Sequence, residues 1–280
     1  MNAIEIKDLC KSYKGFSLEN INLTLPSGCT MGLIGANGAG KSTTIKLILD
    51  IIKKDSGSVT ILGKDNKDNL ALTKQEIGVV LDEVGIPEYL KAKQVGNIMK
   101  LIFNHWDEKM FYDYLQKLSI PENKKFKDFS RGTKMKLGIA VAFSHHPKLL
   151  ILDEATSGLD PVVRDEVIDM LYEFTKDRSH SVLISSHIVS DLEKICDYVA
   201  FLNKGNLLLC DKKDDLKSRY GIISIEPEKL DTIPKQAIKG KKEYKNVIEV
   251  MVQRDKVPSE INVSPIDLEK LFLFMVQEEI

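Results

Sequence analysis

The 280-residue sequence has few cysteines, no long apolar run and no excess of charge of either sign. Its cysteines, Cys10, Cys29, Cys196 and Cys210, lie far apart and form no C-x-x-C pair, which excludes the usual zinc sites and a dense disulfide framework. No run approaches 18 apolar residues, so no membrane-spanning helix is predicted. The first residues lack the apolar core of a secretory signal peptide. These absences predict a reduced protein of the cytosol.

The charges of the chain almost cancel. The sequence has 40 Lys and Arg against 41 Asp and Glu, for a net charge of -1. No global basic field therefore favours nucleic acid or an anionic membrane as a partner. With 43% hydrophobic and 29% charged residues, the composition is that of an ordinary globular protein, long enough for one large domain with an appendage.

Short apolar runs alternate with helix-like segments along most of the chain. Nearly continuous apolar runs at 29–35, 149–152 and 181–186 are typical of strands covered on both faces. This alternation predicts an α/β fold with a largely parallel sheet. From about 68 to 143 the pattern is mostly helical and rich in aromatic residues, which predicts a helical lobe inserted into the α/β fold.

Residues 222–280 have a different character and are predicted to form a small appendage. Two strand-like runs precede a helix, for which Ser264 and Asp267 make a capping-box signature with Pro265 at the first helical position. This helix carries an apolar stripe that either packs on the rest of the chain or pairs with the same stripe of a second copy. The stripe consists of Leu268, Leu271, Phe272 and Met275.

The segment GANGAGKS, residues 35–42, matches the pattern G-x-x-x-x-G-K-[ST] between a predicted buried strand and a predicted helix. Its glycines let successive N–H groups point into one concavity, Lys41 reaches the terminal phosphates, and the Ser42 hydroxyl binds Mg²⁺. A glycine-rich turn with a solvated lysine does not account for the complete pattern in this setting. The predicted site for a nucleoside triphosphate consists of Gly35, Ala36, Asn37, Gly38, Ala39, Gly40, Lys41, Ser42 and Thr43.

Two acids and a histidine follow other predicted buried strands. Asp153 and Glu154 come at the carboxyl end of one strand, where open α/β sheets bind ligands. Asp153 is predicted to hold Mg²⁺ and Glu154 to polarise the attacking water. His187 ends another strand, where a donor to the γ-phosphate would lie. Alone, such acids are more often a solvated turn and such a histidine is more often structural, but the phosphate loop favours catalysis.

The stretch DFSRGTKMKL, residues 128–137, poses a question about the start of a helix. Ser130 is a good N-cap, yet Gly132 inside the first turn costs up to about 1 kcal/mol relative to alanine. Either the glycine is tolerated, or an anion must approach the backbone closely.

In this order and at these intervals, the phosphate loop, DFSRGTKMKL, LLILDEATSGLD and ISSH resemble the ATP-binding cassette of ABC transporters over roughly residues 3–212. The resemblance implies a P-loop NTPase of the ABC-cassette fold, with a mainly parallel core sheet, an antiparallel β subdomain, an inserted helical lobe and a small C-terminal α+β appendage. It places the ATP-binding domain at 1–221, with ATP and Mg²⁺ as cofactors.

The resemblance also assigns roles to single residues. Tyr13 corresponds to the aromatic residue that stacks on adenine, and His187 to the switch histidine. Residues 157–160, which end at Asp160, correspond to the loop that crosses the seam of a head-to-tail dimer. In that dimer Ser130 and Gly132 would contact the ATP held by a second copy, which answers the question of the glycine.

Two segments depart from the family pattern, the signature and the segment around Asp82. The signature, usually Leu-Ser-Gly-Gly-Gln, is here Phe-Ser-Arg-Gly-Thr, so Arg131 replaces a glycine and Thr133 a glutamine. Arg131 either adds positive charge near the partner's nucleotide or points into solvent. Asp82 stands where the family usually has a glutamine beside Mg²⁺. It either coordinates the metal or lies in a loop of solvated acids.

These features together resemble ATPases of ABC-2 type exporters, including those for bacitracin resistance and export of amphipathic peptides. The resemblance implies a separate integral membrane permease as partner, a second cassette, identical or related, and a location on the cytoplasmic face of the membrane. The permease would dock near Ile86, Tyr89, Leu90 and Phe103. The alternatives are a soluble ABC-type ATPase of translation or DNA repair and, further away, a small-molecule P-loop kinase.

Overall fold

A computed structural model describes residues 1–67 and 73–277 of the chain. The strands are β1 (Asn2–Tyr13), β2 (Phe16–Pro26), β3 (Thr30–Ile34), β4 (Ser56–Ile61), β5 (Lys64–Asp65), β6 (Ile77–Val80), β7 (Leu149–Asp153), β8 (Ser181–Ser186), β9 (Tyr198–Asn203), β10 (Asn206–Lys212), β11 (Tyr220–Ile225), β12 (Ile238–Glu243) and β13 (Ile248–Gln253). The α-helices are α1 (Lys41–Ile48), α2 (Ala92–Ile102), α3 (Glu108–Lys117), α4 (Arg131–Phe143), α5 (Pro161–Thr175), α6 (Val189–Ile195), α7 (Lys213–Arg219) and α8 (Leu268–Gln277). Within these described residues, no helix is both long and apolar enough to cross a bilayer.

The central sheet has the strand order β10-β9-β3-β8-β7-β6, and only the edge strand β10 runs antiparallel. Every residue of β3, β7 and β8 is buried, as expected for apolar runs covered on both faces. The predicted parallel core sheet is confirmed. Because neighbouring parallel strands end at one edge, the segments that follow β3, β7 and β8 meet there.

A second sheet, β2-β1-β4-β5, is wholly antiparallel and packs against β3 and α1. Its inward side chains, such as Ile4 and Leu23, join Met31 of β3 and Ile45 of α1 in one buried cluster. This is the predicted antiparallel β subdomain.

Helices α2, α3 and α4 form the helical lobe around the fully buried Phe111. The lobe was predicted over 68–143, but β6 lies inside that range and pairs with β7 in the central sheet. The prediction is wrong there because the four-residue apolar run IGVV has no periodicity that separates a strand from a helix. The predicted start at residue 68 lies outside the described residues.

The third sheet, β11-β13-β12, is antiparallel and lies in the C-terminal part of the chain. The predicted capping box is wrong, because α8 begins at Leu268 and Asp267 caps it by accepting a hydrogen bond from Lys270 N at 2.7 Å. Ser264 instead exchanges backbone hydrogen bonds with Ile222. Arg254 holds this segment extended by donating to the Ser264 carbonyl oxygen at 2.7 Å.

Helix α8 packs on its own chain. Leu268 and Leu271 are fully buried in the cluster that also contains Phe201 of β9. The ring of Phe272 meets that of Phe201 edge to face at 5.4 Å. Of the two arrangements open to the apolar stripe, the structure therefore has the intramolecular one.

Candidate active site

The phosphate loop joins β3 to α1, and two of its glycines occupy positions that exclude a side chain. Gly40 precedes α1 with a φ of 112°, and a Cβ there would lie 2.6 Å from Leu18 Cδ2. A Cβ on Gly35 would lie 2.6 Å from the Leu202 carbonyl oxygen. The loop backbone is therefore held tightly against the core at a helix N-terminus, which favours an anion.

Lys41 is the first residue of α1 and is only 5% exposed. Its Nζ donates hydrogen bonds to the carbonyl oxygens of Gly35 at 2.7 Å and Ala36 at 3.2 Å. The same atom lies 3.2 Å from Glu154 Oε1. The loop thus holds a buried positive charge between its own carbonyl groups and the acid that follows β7.

Glu154 adopts a φ of 52°, in the left-handed region that non-glycine residues seldom occupy. Its Oε2 lies 2.7 Å from His187 Nδ1. Its Oε1 is buried and accepts no hydrogen bond in the described part of the chain, since Lys41 is close enough for an ion pair but is not aligned as a donor. A buried carboxylate oxygen without a donor is suited to accept one from a water molecule.

Ser185, at the end of β8, links the two acids. Its Oγ donates to Asp153 Oδ1 at 2.6 Å and accepts from Glu154 N at 3.0 Å. Asp153 is only 2% exposed, so this bond fixes a buried carboxylate. Sequence analysis missed Ser185, and the one available signal was its position two residues before His187, near the end of the strand that His187 follows. We assign it a positioning role.

A cavity of about 440 Å³ lies over the phosphate loop. It is lined by residues 37–43 together with Phe16, Asp82 and Glu154. The fold therefore brings Ser42 and Glu154 together with Asp82, which comes from the loop after β6. Asp153 is buried and is not among the described residues that line the cavity.

The residues at this cavity suit Mg²⁺. Magnesium is usually held by one or two carboxylates and other oxygens, with substrate phosphates completing the shell. Ser42 and Asp82 at the cavity are donors of that type, and Asp153 is a further, buried carboxylate outside the cavity lining. Among residues 1–67 and 73–277, no group of three or more His, Cys, Asp or Glu side chains is arranged to hold a metal. The protein would thus supply only part of the coordination.

The aromatic residue that faces this cavity is Phe16, which sequence analysis missed. It is paired with Tyr13 across the turn between β1 and β2. Tyr13 lies outside the cavity, is 47% exposed, and has Lys11 Nζ 5.4 Å from its ring centroid. Its predicted contact with adenine stays a prediction.

The start of α4 has the predicted serine cap. Ser130 Oγ accepts a hydrogen bond from Thr133 N at 3.2 Å. A Cβ on Gly132 would lie 3.5 Å from the Gly158 carbonyl oxygen and 3.6 Å from Leu159 Cδ2, which are ordinary contact distances. Packing among the residues that the structure describes therefore gives no reason for a glycine at position 132.

Arg131 does not simply extend into solvent. Its guanidinium donates a hydrogen bond to Asp82 Oδ1, and the two side chains are 61% and 45% exposed. Asp160 is also engaged within the chain, since it caps α5 by accepting from Val163 N at 3.1 Å.

The family model for ABC transporters matches residues 18–157, which include the phosphate loop, the signature stretch and the two acids. The ABC transporter ATP-binding protein YtrB of Bacillus subtilis is 33% identical over 220 residues, covering 78% of this chain and 74% of its own. The chain belongs to the ABC transporter family.

Other ABC proteins agree with this assignment. The bacitracin transport ATP-binding protein BcrA of Bacillus licheniformis is 36% identical over 219 residues, covering 77% of this chain and 72% of its own. A solved structure of an ATP-binding subunit of an ABC transporter superposes with a TM-score of 0.70 at 28% identity, covering 77% of this chain and 92% of that one.

As a member of the ABC family, the chain is an ATPase that binds ATP. ATP-binding subunits of this family dimerise and work with membrane permeases. The predicted recognition, fold class and enzyme class are confirmed.

This ABC ATP-binding protein has an apolar groove of about 390 Å³ between the core and the helical lobe. Phe103 lines it and stacks on His145 with ring centroids 3.9 Å apart. Burial lowers the pKa of His145, so the ring is neutral at pH 7 and adds no charge. Of the residues predicted for permease docking, Ile86 lines a different cavity, Tyr89 is exposed and Leu90 packs toward the lobe.

Proposed function

We propose that this cassette drives an ABC exporter on the cytoplasmic face of the membrane, moving a peptide, an antibiotic or another amphipathic molecule through a separate permease. The observation that carries the ATPase part is the contact chain Lys41–Glu154–His187 over the phosphate loop. Support for the export part comes from the likeness to a bacitracin transport protein. A soluble ABC-type ATPase of translation or DNA repair is less favoured, because the net charge of -1 suggests no nucleic-acid partner.

In this proposal residues 35–43 cradle the phosphates, and Lys41 provides the fixed positive charge beside them. When bound by Ser42, Asp82 and Asp153, Mg²⁺ would neutralise part of the charge on the phosphates. Tyr13 would stack on adenine, with Phe16 as a second aromatic surface at the loop.

Glu154 would act as the general base. Its buried Oε1 is the acceptor for a proton of the attacking water, and its Oε2 is held by His187. Ser185 fixes the backbone of Glu154 and the carboxylate of Asp153, so the two acids keep their separation. His187 is half exposed, which leaves it able to contact the γ-phosphate.

Two copies would close head to tail around two ATP molecules, so that Ser130 and Gly132 of one copy meet the nucleotide on the other. Gly132 supports this arrangement, because nothing in the described part of its own chain requires the absence of a side chain. Asp160 would lie in the segment at the seam, where its cap on α5 holds the loop in place.

Gly132→Ala is expected to raise the folding stability of the monomer and to weaken dimerisation. The methyl group fits in the monomer, so the free energy of unfolding should rise by up to about 1 kcal/mol. Because the backbone could no longer approach the partner's phosphate closely, ATP-dependent dimerisation of a hydrolysis-deficient chain should weaken about tenfold. Thermal unfolding and sedimentation measure the two effects.

Gly138→Ala, on the same helix, is the matched control. A Cβ there would lie 3.3 Å from Val84 Cγ2 and 3.4 Å from Val80 Cγ1, so the gain in stability should be smaller or absent. Any change in ATP-dependent dimerisation of Gly138→Ala should be no larger than its change in folding stability explains. Equal dimerisation of Gly132→Ala and the unchanged chain would contradict the role proposed for Gly132.

The apolar groove is the proposed docking place for the permease. Its lining includes Ile102 and Phe103, and the exposed Ile98 and Leu101 lie on the same helix α2. Leu101 is 88% exposed and lies with Ile98 and Ile102 in a group of exposed apolar side chains, the kind of surface that marks an interaction site. A membrane partner that presents an amphipathic helix would cover these residues.

Co-expression with a membrane protein that a neighbouring gene encodes tests the transport proposal. We expect a stable complex after detergent extraction, and Leu101→Glu should abolish it while ATP binding is unchanged. Tyr244→Glu is the control, since Tyr244 is a half-exposed aromatic residue in the C-terminal part. Stable association with ribosomes and no complex with the membrane protein would overturn the proposal in favour of the soluble alternative.

A further inference from the structure

Two of the residues that depart from the family pattern, Arg131 and Asp82, touch each other. Arg131 begins the signature helix α4, and Asp82 follows β6, 49 residues earlier. One adds a cation where the pattern has a glycine, and the other adds a carboxylate where it has a glutamine. The added charges are therefore paired within one chain.

Asp82 is shared by two cavities. It lines the 440 Å³ cavity over the loop, and it also lines a neighbouring cavity of about 580 Å³ that contains Arg131. Arg131 is not among the described residues that line the phosphate-loop cavity. The ion pair with Asp82 therefore holds the guanidinium in the neighbouring cavity and not in the cavity over the phosphate loop.

The side chain of Arg131 also crosses the segment that follows the two acids. A Cβ built on Gly158 would lie 3.7 Å from Arg131 Cδ and 3.8 Å from Arg131 Nε. Gly158 belongs to residues 157–160, which the proposed dimer places at the seam. The guanidinium therefore lies beside the surface where a second copy would bring its nucleotide.

The pair with Asp82 is weak enough to be exchanged. Both side chains are substantially exposed, and ion pairs of that kind contribute little because water screens them. A guanidinium would bind the terminal phosphate more strongly in the closed dimer, because that phosphate carries more negative charge than a carboxylate and the seam would shield the pair from water. A phosphate that arrives at the seam would compete successfully for Arg131.

We propose that Arg131 is a recognition residue for the ATP held by the partner copy, and that Asp82 is its internal competitor. On closure of the dimer, Arg131 leaves Asp82 of its own chain and binds the terminal phosphate on the other. Asp82 is then free to face the phosphate-loop cavity of its own chain. The inference rests on the head-to-tail dimer of the proposed function.

The first test measures ATP-dependent dimerisation of the Glu154→Gln chain by sedimentation. Adding Arg131→Gln should raise the concentration for half-dimerisation at least about tenfold, from the loss of a charged hydrogen bond at each site. Adding Asp82→Asn should lower it about two- to fivefold, because a weak competitor is removed. If the Arg131–Asp82 pair only stabilised the monomer, both variants would change the concentration for half-dimerisation in the same direction. That result would overturn the proposal.

Two further variants test whether the effect depends on the position of the cation or only on its charge. Lys134→Gln removes a cation from the same helix and the same neighbouring cavity, and should leave dimerisation unchanged. Arg131→Lys should recover part of the lost affinity. Each measurement is made with Mg²⁺ and with excess chelator, since loss of a metal contact by Asp82→Asn would change dimerisation only when Mg²⁺ is present.

The second test decides whether Arg131 acts across the seam. A Lys41→Met chain, whose ATP binding should be weakened, is immobilised in excess. A labelled Glu154→Gln chain is added at trace concentration, with ATP at a concentration that fills the Glu154→Gln site and leaves the Lys41→Met site largely empty. Arg131→Gln on the immobilised chain should prevent capture, whereas the same change on the labelled chain should not. The reverse result would place Arg131 on the nucleotide of its own chain and overturn the proposal.

Failure of this inference is distinct from failure of the dimer. If the Glu154→Gln chain shows no ATP-dependent dimer at all, the head-to-tail arrangement itself is contradicted. If the dimer forms and Arg131→Gln leaves its affinity and capture unchanged, only the role of Arg131 is contradicted.

Discussion

Glu154→Gln is expected to lower the rate of ATP hydrolysis about 100- to 10,000-fold, the usual contribution of a general base. The amide cannot take the proton that the buried Oε1 is placed to accept. The shape of the side chain is kept, so ATP should still bind. Because bound ATP would not be consumed, the chain should accumulate as an ATP-bound dimer, visible by size-exclusion chromatography.

Glu122→Gln is the control for this variant, since Glu122 is an exposed acid of the helical lobe. It should hydrolyse ATP at the unchanged rate. Normal turnover by the Glu154→Gln chain would contradict the general-base role and direct attention to His187 or Asp153.

Lys41→Met is expected to weaken ATP binding about 10- to 150-fold, as follows from losing hydrogen bonds to a charged group worth about 1.5–3 kcal/mol. Methionine keeps most of the buried volume but supplies no donor. It also leaves Glu154 Oε1 buried without its cation, so some loss of folding stability is expected. Binding of a fluorescent ATP analogue gives the affinity, and thermal unfolding gives the stability.

Lys46→Met is the matched control, because Lys46 is an exposed lysine on the same helix. It should bind the analogue with unchanged affinity. If Lys41→Met remains folded and binds as tightly as the unchanged chain, Lys41 is not the phosphate ligand.

Motifs that are contiguous in the chain were predictable from the sequence. The phosphate loop lies within nine residues, 35–43, and it has the expected neighbours, β3 and α1. The central sheet was equally accessible, because strands buried on both faces are continuous apolar runs. Such features are encoded locally, so a short window of sequence contains them.

Contacts between distant residues were not predictable in this way. Arg131 and Asp82 were each recognised as departures from a pattern, but only the fold places them together. Ser185 gave no signal of its own, because a serine at a strand end is common. In the C-terminal part, Asp267 displaced Ser264 as the helix cap, since Arg254 holds the preceding segment in an extended conformation.

Phe272 of α8 lies against Phe201 of β9, and β9 pairs directly with β3, the strand that ends at the phosphate loop. The C-terminal part and the catalytic core therefore share one set of buried contacts. In folding terms they are expected to unfold as one cooperative unit. The slowest amide hydrogen exchange in β13 should then track that of β3, and nucleotide binding should slow both.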